Sequence, residues 1–289
     1  MHIFKQRPVL FILVFYLVCF LFRVIEYLVI RTDQSIIGEA FIHKLIGIFL
    51  LVIAVRLIKY NWLDIGFRAD RFVSGTCTGL ILGCVAFIVG YGAEMFMQGS
   101  AGNAPSLSFY ATSYAIQGSR VMEGGLVFIL ICIAGNIINV TMEEGVFRGL
   151  FMRLAEEKYS FARACILSSA LFGFWHIMQP LRNVLDGEQS PGGAFMMGLM
   201  LVGTSALAGV QYVMLYKVTG SLWAGMAAHF INNASANLLH VVTAAGAADE
   251  LMTVRITIAS TVSFVIVLIF FLLHLRYRRI ESSRNEAYE

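Results

Sequence analysis

The sequence predicts an all-α, polytopic transmembrane helical bundle of about eight spans, with the N-terminus and the C-terminus cytosolic. Three observations predict it. Hydrophobic residues make up 58% of the chain and charged residues only 13%, against about 25% charged in soluble proteins. Mean hydropathy is +0.77. Apolar stretches follow one another through all 289 residues without a large polar block, and about 20 apolar residues are enough to cross a hydrocarbon core.

Each span follows from its own pattern. A basic head, residues 1–7, precedes a first span over 9–30, in which Arg23 and Glu26 stand three apart and are expected to pair. A second span covers 36–58. The polar connection 59–71 contains Trp62, Asp64, Phe67, Arg68 and Asp70 and reads as interfacial, with Trp62 at headgroup level. A third span, 72–97, carries Gly75, Gly79 and Gly83 four apart, the small-residue pattern of close helix packing. Residues 98–120 read as a Gly/Ser/Asn-rich outer loop. The fourth helix, 121–156, exceeds the hydrocarbon core, so its end projects into water. The fifth span, 161–179, is stopped by Pro180, and the sixth, 194–216, has Gly198, Gly203 and Gly209 for packing. The seventh covers 222–242 and the eighth 251–275, followed by a tail, 276–289, that is basic at its start.

The basic residues orient the chain. With the N-terminus inside, fourteen lie in inner segments and five in outer ones, leaving Arg23 and Arg148 within spans. The positive-inside rule then puts both termini in the cytosol. A net charge of +3 gives no basis for a nucleic-acid partner. The five cysteines sit in apolar stretches and show no metal or redox spacing. The first apolar run is long enough to span and lacks a small-residue cleavage site, so it reads as a span rather than a cleaved signal.

Within this apolar frame the stretch Thr141-Met-Glu-Glu-Gly-Val-Phe-Arg148 stands out. Two carboxylates and a guanidinium are costly at membrane depth and need partners or a purpose. On a helix, Glu144 and Arg148 share a face in the favourable acid-before-base order. Glu143 points about 100° away, on the side of Asn139 and Asn136. The fifth span adds Phe172-Gly-Phe-Trp-His176, and the seventh adds His229-Phe-Ile-Asn-Asn233. Counting from Arg153, Arg163 and Lys217, residues Glu143, His176 and His229 lie about 15, 20 and 18 Å deep. Three helices thus bring a carboxylate and two imidazoles to a similar depth.

Those residue types point to water-dependent acyl transfer. A buried carboxylate can deprotonate a water held between it and His176, and His229 with Asn233 can donate to the oxyanion of a tetrahedral intermediate. Glu143, His176 and His229 are equally the donor set of a zinc site with one open position. The chain has no His-Glu-x-x-His helix, and Ser168 and Ser169 have no Gly-x-Ser-x-Gly setting. Ligating histidines usually pass their second nitrogen to a carboxylate or carbonyl. Glu144 is expected to be taken by Arg148, so a metal-free mechanism is expected and no cofactor is favoured, with zinc left as the alternative.

Glu143-Glu144-x-x-x-Arg148, Phe172-x-x-x-His176 and His229-x-x-x-Asn233, in this order on late spans, resemble the motifs of the CPBP family. These are the type II CAAX prenyl proteases and bacteriocin-processing proteins also called Abi proteins. The run from Gly220 to Asn233 is similar to the family's lead-in to its last motif, and the resemblance covers about 126–240. It implies a three-part chain: spans and an outer loop over 1–120, a catalytic core over 121–245, and a last span with a basic tail over 246–289. It implies an intramembrane endopeptidase in which Glu143 and His176 activate water, His229 and Asn233 form the oxyanion site, and Arg148 holds Glu144. Expected partners are the lipid bilayer and a peptide or prenylated protein substrate, in a bacterial plasma membrane; the oligomeric state is left open. Two other classes fit the same charges: a transporter relaying protons or ions through Glu143, His176 and His229, and a non-catalytic immunity or scaffold protein.

Overall fold

The computed structural model describes residues 7–35, 40–112, 122–123 and 125–286. Helix α1 (Pro8–Ile25) opens with proline in its first turn, where a missing N–H costs nothing, and closes in a π turn, Glu26–Ile30. Helices α2 (Ile42–Ile58) and α3 (Phe72–Ser100) follow. Helix α4 runs over Leu126–Glu156, with Glu144–Phe151 wound as π-helix. Next come α5 (Phe161–Trp175), α6 (Met178–Leu185), α7 (Pro191–Thr219), α8 (Trp223–Leu238) and α9 (Met252–Glu286). Strand β1 (Ser106–Phe109) pairs antiparallel with β4 (Leu239–Val242), and β2 (Ala111–Thr112) with β3 (Met122–Glu123).

The all-α polytopic bundle is what forms, and the chain is a multi-pass membrane protein. Six stretches among the described residues are long and apolar enough to cross a membrane: Pro8–Ile30, Ala69–Ser100, Leu126–Glu156, Phe161–Leu185, Pro191–Thr219 and Met252–Glu281. The expected second and seventh spans are shorter helices, 17 and 16 residues long. The last expected turn of the seventh is strand β4, because Val241 and Val242 favour an extended backbone and β1 supplies a partner.

Other expectations shift as well. Pro180 does not stop the fifth span. Helix α5 ends at Trp175, and Pro180 lies in the first turn of α6, where proline is tolerated. The expected outer loop begins with the end of α3 and contains β1 and β2. Arg120, the basic head over 1–6, the start of the second span at 36–39 and the tail end at 287–289 lie outside the described residues. Arg23 and Glu26 are joined through His43: Arg23 Nη1 lies 3.1 Å from His43 Nε2, and His43 Nδ1 lies 2.5 Å from Glu26 Oε2.

The glycine stripe of α3 does what its spacing predicts. A Cβ at Gly79 would stand 2.1 Å from the Ala224 carbonyl oxygen, and one at Gly83 would stand 2.7 Å from Ile231 Cβ, so α3 and α8 touch backbone to backbone. Of the glycines on α7, Gly209 packs closely, with its Cβ position 3.0 Å from Ser169 Cα, whereas Gly203 meets nothing within 4 Å.

Charged residues sort to two ends of the bundle. At one end, Lys217 reaches Glu156 (3.9 Å), Arg71 Nη1 donates to the Thr219 carbonyl (3.2 Å), and Tyr60 donates to Glu157. At the other, Arg31 forks onto Asp186 (2.7 and 3.2 Å) and Arg182 holds Asp33 (3.0 Å). A second outer cluster, wholly buried, joins Arg255 to Glu94 (2.6 Å) and Asp249 (3.0 Å). On the basic-residue count the Lys217 end is the one expected to face the cytosol. Cysteine-accessibility labelling is expected to place positions near Lys158 and Arg279 in the cytosol and those near Ser106 and Glu188 outside. Lys158 and Glu188 on one side would undo this arrangement.

Candidate active site

Helix α4 delivers the carboxylates. Its run Gly145–Phe151 is buried throughout, and Glu143 and Glu144 are 3% and 0% exposed. Glu143 keeps the expected tie to Asn139, whose Nδ2 lies 3.5 Å from Oε2. Asn136 instead turns back to the Cys132 carbonyl (3.0 Å). The strongest donor to Glu143 was not singled out from sequence: Trp175 Nε1 donates to Oε1 at 3.1 Å. A buried indole N–H needs an acceptor, and Trp175 stands beside His176, so the signal was present.

His176 sits where α5 breaks, at φ −90° and ψ 1°, the sparsely allowed region that many active-site residues occupy. Its Nδ1 lies 2.9 Å from the Phe172 carbonyl. A carbonyl oxygen only accepts, so Nδ1 bears the proton and Nε2 keeps its lone pair. Phe172 is 2% exposed and meets the His176 ring edge-on at 4.9 Å.

Helix α8 brings His229 between the two glutamates. Nδ1 lies 2.9 Å from Glu144 Oε1, and Nε2 lies 3.6 Å from Glu143 Oε2. Tyr212 stacks on the ring at 5.1 Å and 19°. The expectation that Arg148 alone occupies Glu144 is therefore corrected. Arg148 Nη1 is 3.4 Å from Glu144 Oε1, while the guanidinium carbon stands over aromatic rings, 3.8 Å from the centre of Phe172 and 5.3 Å from that of Tyr212. The two glutamates leave α4 in different directions yet meet again on one imidazole. Asn233 receives Asn232 Nδ2 on its Oδ1 (3.3 Å), which leaves its own amide hydrogens for other partners.

Glu143, His176, Phe172, His229 and Asn233 line one cavity of about 680 Å³, whereas Glu144 and Arg148 stand behind it. Below the site, Phe147, Leu150, Phe151 and Leu222 are at most 1% exposed and seal that end. Arg23 and Lys44 add positive charge to the cavity wall. Both histidines have Nδ1 occupied, an orientation that ligating histidines share. Among the described residues no group of three His, Cys, Asp or Glu side chains is drawn together as a metal-binding set.

Removing one partner of a buried pair leaves an uncompensated charge, at a cost of about 3–5 kcal/mol. Arg148→Ala is therefore expected to lower thermal stability in detergent markedly. Arg148→Lys should recover only part of the loss, because a compact ammonium cannot lie across Phe172 as the planar group does. Unfolding midpoints of both variants equal to wild type would remove Arg148 from the support of Glu144.

No curated protein matches the chain. Residues 125–235 match the family model for type II CAAX prenyl endopeptidase Rce1-like proteins, a stretch that contains every one of these site residues. The match supports a likeness of this core, within its multi-pass helical setting, to the CPBP/CAAX protease family.

Proposed function

We propose that this chain hydrolyses a peptide bond of a membrane-associated peptide or lipidated protein by means of a water activated at Glu143 and His176. The observation that carries the reading is His229 poised between two buried carboxylates, in the cavity that also receives His176 and Asn233. The water gives a proton to Glu143, assisted by the Nε2 lone pair of His176, as its oxygen bonds to the scissile carbonyl carbon. The C=O pair moves to oxygen, and the oxyanion takes hydrogen bonds from His229 Nε2–H and the Asn233 amide. Collapse breaks the C–N bond, and the leaving amine takes the proton back from Glu143. Glu144 acts through His229 and fixes the ring; Trp175 and Arg148 position the groups around it.

This mechanism is proposed without a metal, since nothing in it needs one. A bacterial plasma membrane is the proposed location.

The decisive experiment incubates purified wild type and Glu143→Gln with a peptide library and reads cleavage by mass spectrometry. Glu143→Gln should abolish turnover at near-wild-type thermal stability, and normal cleavage by it would sink the proposal. Asn233→Ala should reduce kcat by about 10²–10³-fold, the usual loss of one oxyanion donor, with little change in KM because that bond forms mainly in the transition state. Metal content decides the remaining choice. One equivalent of zinc in active enzyme, with activity lost to chelator and restored by the metal, would replace the metal-free mechanism.

A further inference from the structure

The cavity wall opposite the glutamates is built by α7 and α9, and α9 lies outside the stretch matched by the family model. The two helices are pinned together by Gln211 Nε2 donating to Ser263 Oγ at 2.7 Å and by packing around Leu215 and Val267. Further along, Met200 and Leu207 line the cavity and are also 50% and 58% exposed at the surface. Thr204, Thr257 and Thr261 share both properties. The cavity therefore opens sideways between α7 and α9, on the side of the pin away from the sealed end.

The threonines at this opening have a defined polarity. Thr257 Oγ1 donates to the Thr253 carbonyl (2.7 Å), Thr261 Oγ1 to the Thr257 carbonyl (2.8 Å), and Thr204 Oγ1 to the Met200 carbonyl (2.8 Å). A hydroxyl has one proton and two lone pairs. With each proton spent on its own helix, the three oxygens of these cavity-lining residues keep lone pairs for an outside donor. Thr257 and Thr261 are one turn apart, about 6 Å along the helix. The N–H groups on one edge of an extended peptide recur every second residue, about 6.6–6.8 Å.

We propose that the α7–α9 cleft is the substrate-binding site of this enzyme and takes an extended peptide segment. Its N–H edge is received by the hydroxyl oxygens of Thr257, Thr261 and Thr204. The assignment rests on the endopeptidase reading above and supplies what that reading lacks, a way to satisfy a substrate backbone at membrane depth. Polar backbone groups cannot remain unpaired there. It also makes the recognition sequence-tolerant, because the contacts are to backbone, and it selects for unfolded segments over helical ones, whose N–H groups are already used.

The test uses the full chain in detergent with two readouts. In the first, Glu143→Gln is irradiated with a mixture of decapeptides carrying photo-leucine, and the adducts are mapped by mass spectrometry. Adducts are expected on residues 200–208 and 253–264; adducts confined to other surfaces would overturn the cleft. In the second, a peptide cleaved in the library is used for kinetics. Thr257→Val and Thr261→Val should each raise KM by about three- to tenfold with kcat retained, the loss of one hydrogen bond, while Thr257→Ser should restore the wild-type KM. Peptides whose N–H at those positions is replaced by an ester oxygen should lose a similar factor with wild type and none with the valine variants. Cleavage with unchanged KM in both valine variants overturns the cleft and leaves the protease reading standing. Adducts in the cleft without any cleavage support the site and reject the protease reading.

Discussion

Two adjacent carboxylates inside a helical bundle need partners, and a single imidazole lies against both. His229 spans Glu144 at 2.9 Å and Glu143 at 3.6 Å, and most of the surrounding construction serves to hold it there. Arg148 compensates Glu144 from behind, and its cation is accommodated by the faces of Phe172 and Tyr212 rather than by water. Tyr212 in turn stacks on His229, so the same ring touches both the cation and the imidazole. Replacing water by aromatic faces keeps the pair close without hydrating it.

The position of α8 follows from the glycines of α3. Side chains at Gly79 and Gly83 would push α8 away by more than an ångström of overlap, and His229 would leave both carboxylates. The site thus depends on a helix that carries none of its chemistry. Behind Glu143 the same logic continues: Arg23 lies over the Trp175 ring at 4.6 Å, and the Trp175 indole holds the carboxylate. The chain Glu26–His43–Arg23–Trp175–Glu143 links α1 and α2 to the site.

Much of this was legible in sequence, for stated physical reasons. Charges in apolar runs announced Glu143, Glu144 and Arg148, and helical periodicity related them correctly to Asn139 and to each other. The small-residue spacing on α3 announced a close helix contact, without identifying α8 as the partner. What escaped was the third dimension. Nothing in periodicity says that two glutamates on different faces of α4 will converge on a residue 85 positions later. Trp175 was visible as part of Phe-Gly-Phe-Trp-His, but its acceptor was not. The break of α5 at His176 was misplaced to Pro180 because proline is the usual stop, whereas here it begins the next helix. The strand β4 was hidden because 239–242 is as apolar as a span, and only its pairing with 106–109 reveals it.

The π-wound stretch Glu144–Phe151 has its own consequence. A π turn closes its hydrogen bonds over five residues instead of four and so stores additional chain within a helix of the same direction. Were one residue removed between Val146 and Leu150, the helix could run through as plain α. The turns before and after would keep nearly the same facing, because the π stretch is what absorbs the extra residue, while the groups within it, Glu144 and Arg148 among them, would be re-aimed. The aims of Glu144 and Arg148 are therefore written in the number of residues in that stretch as much as in their identity.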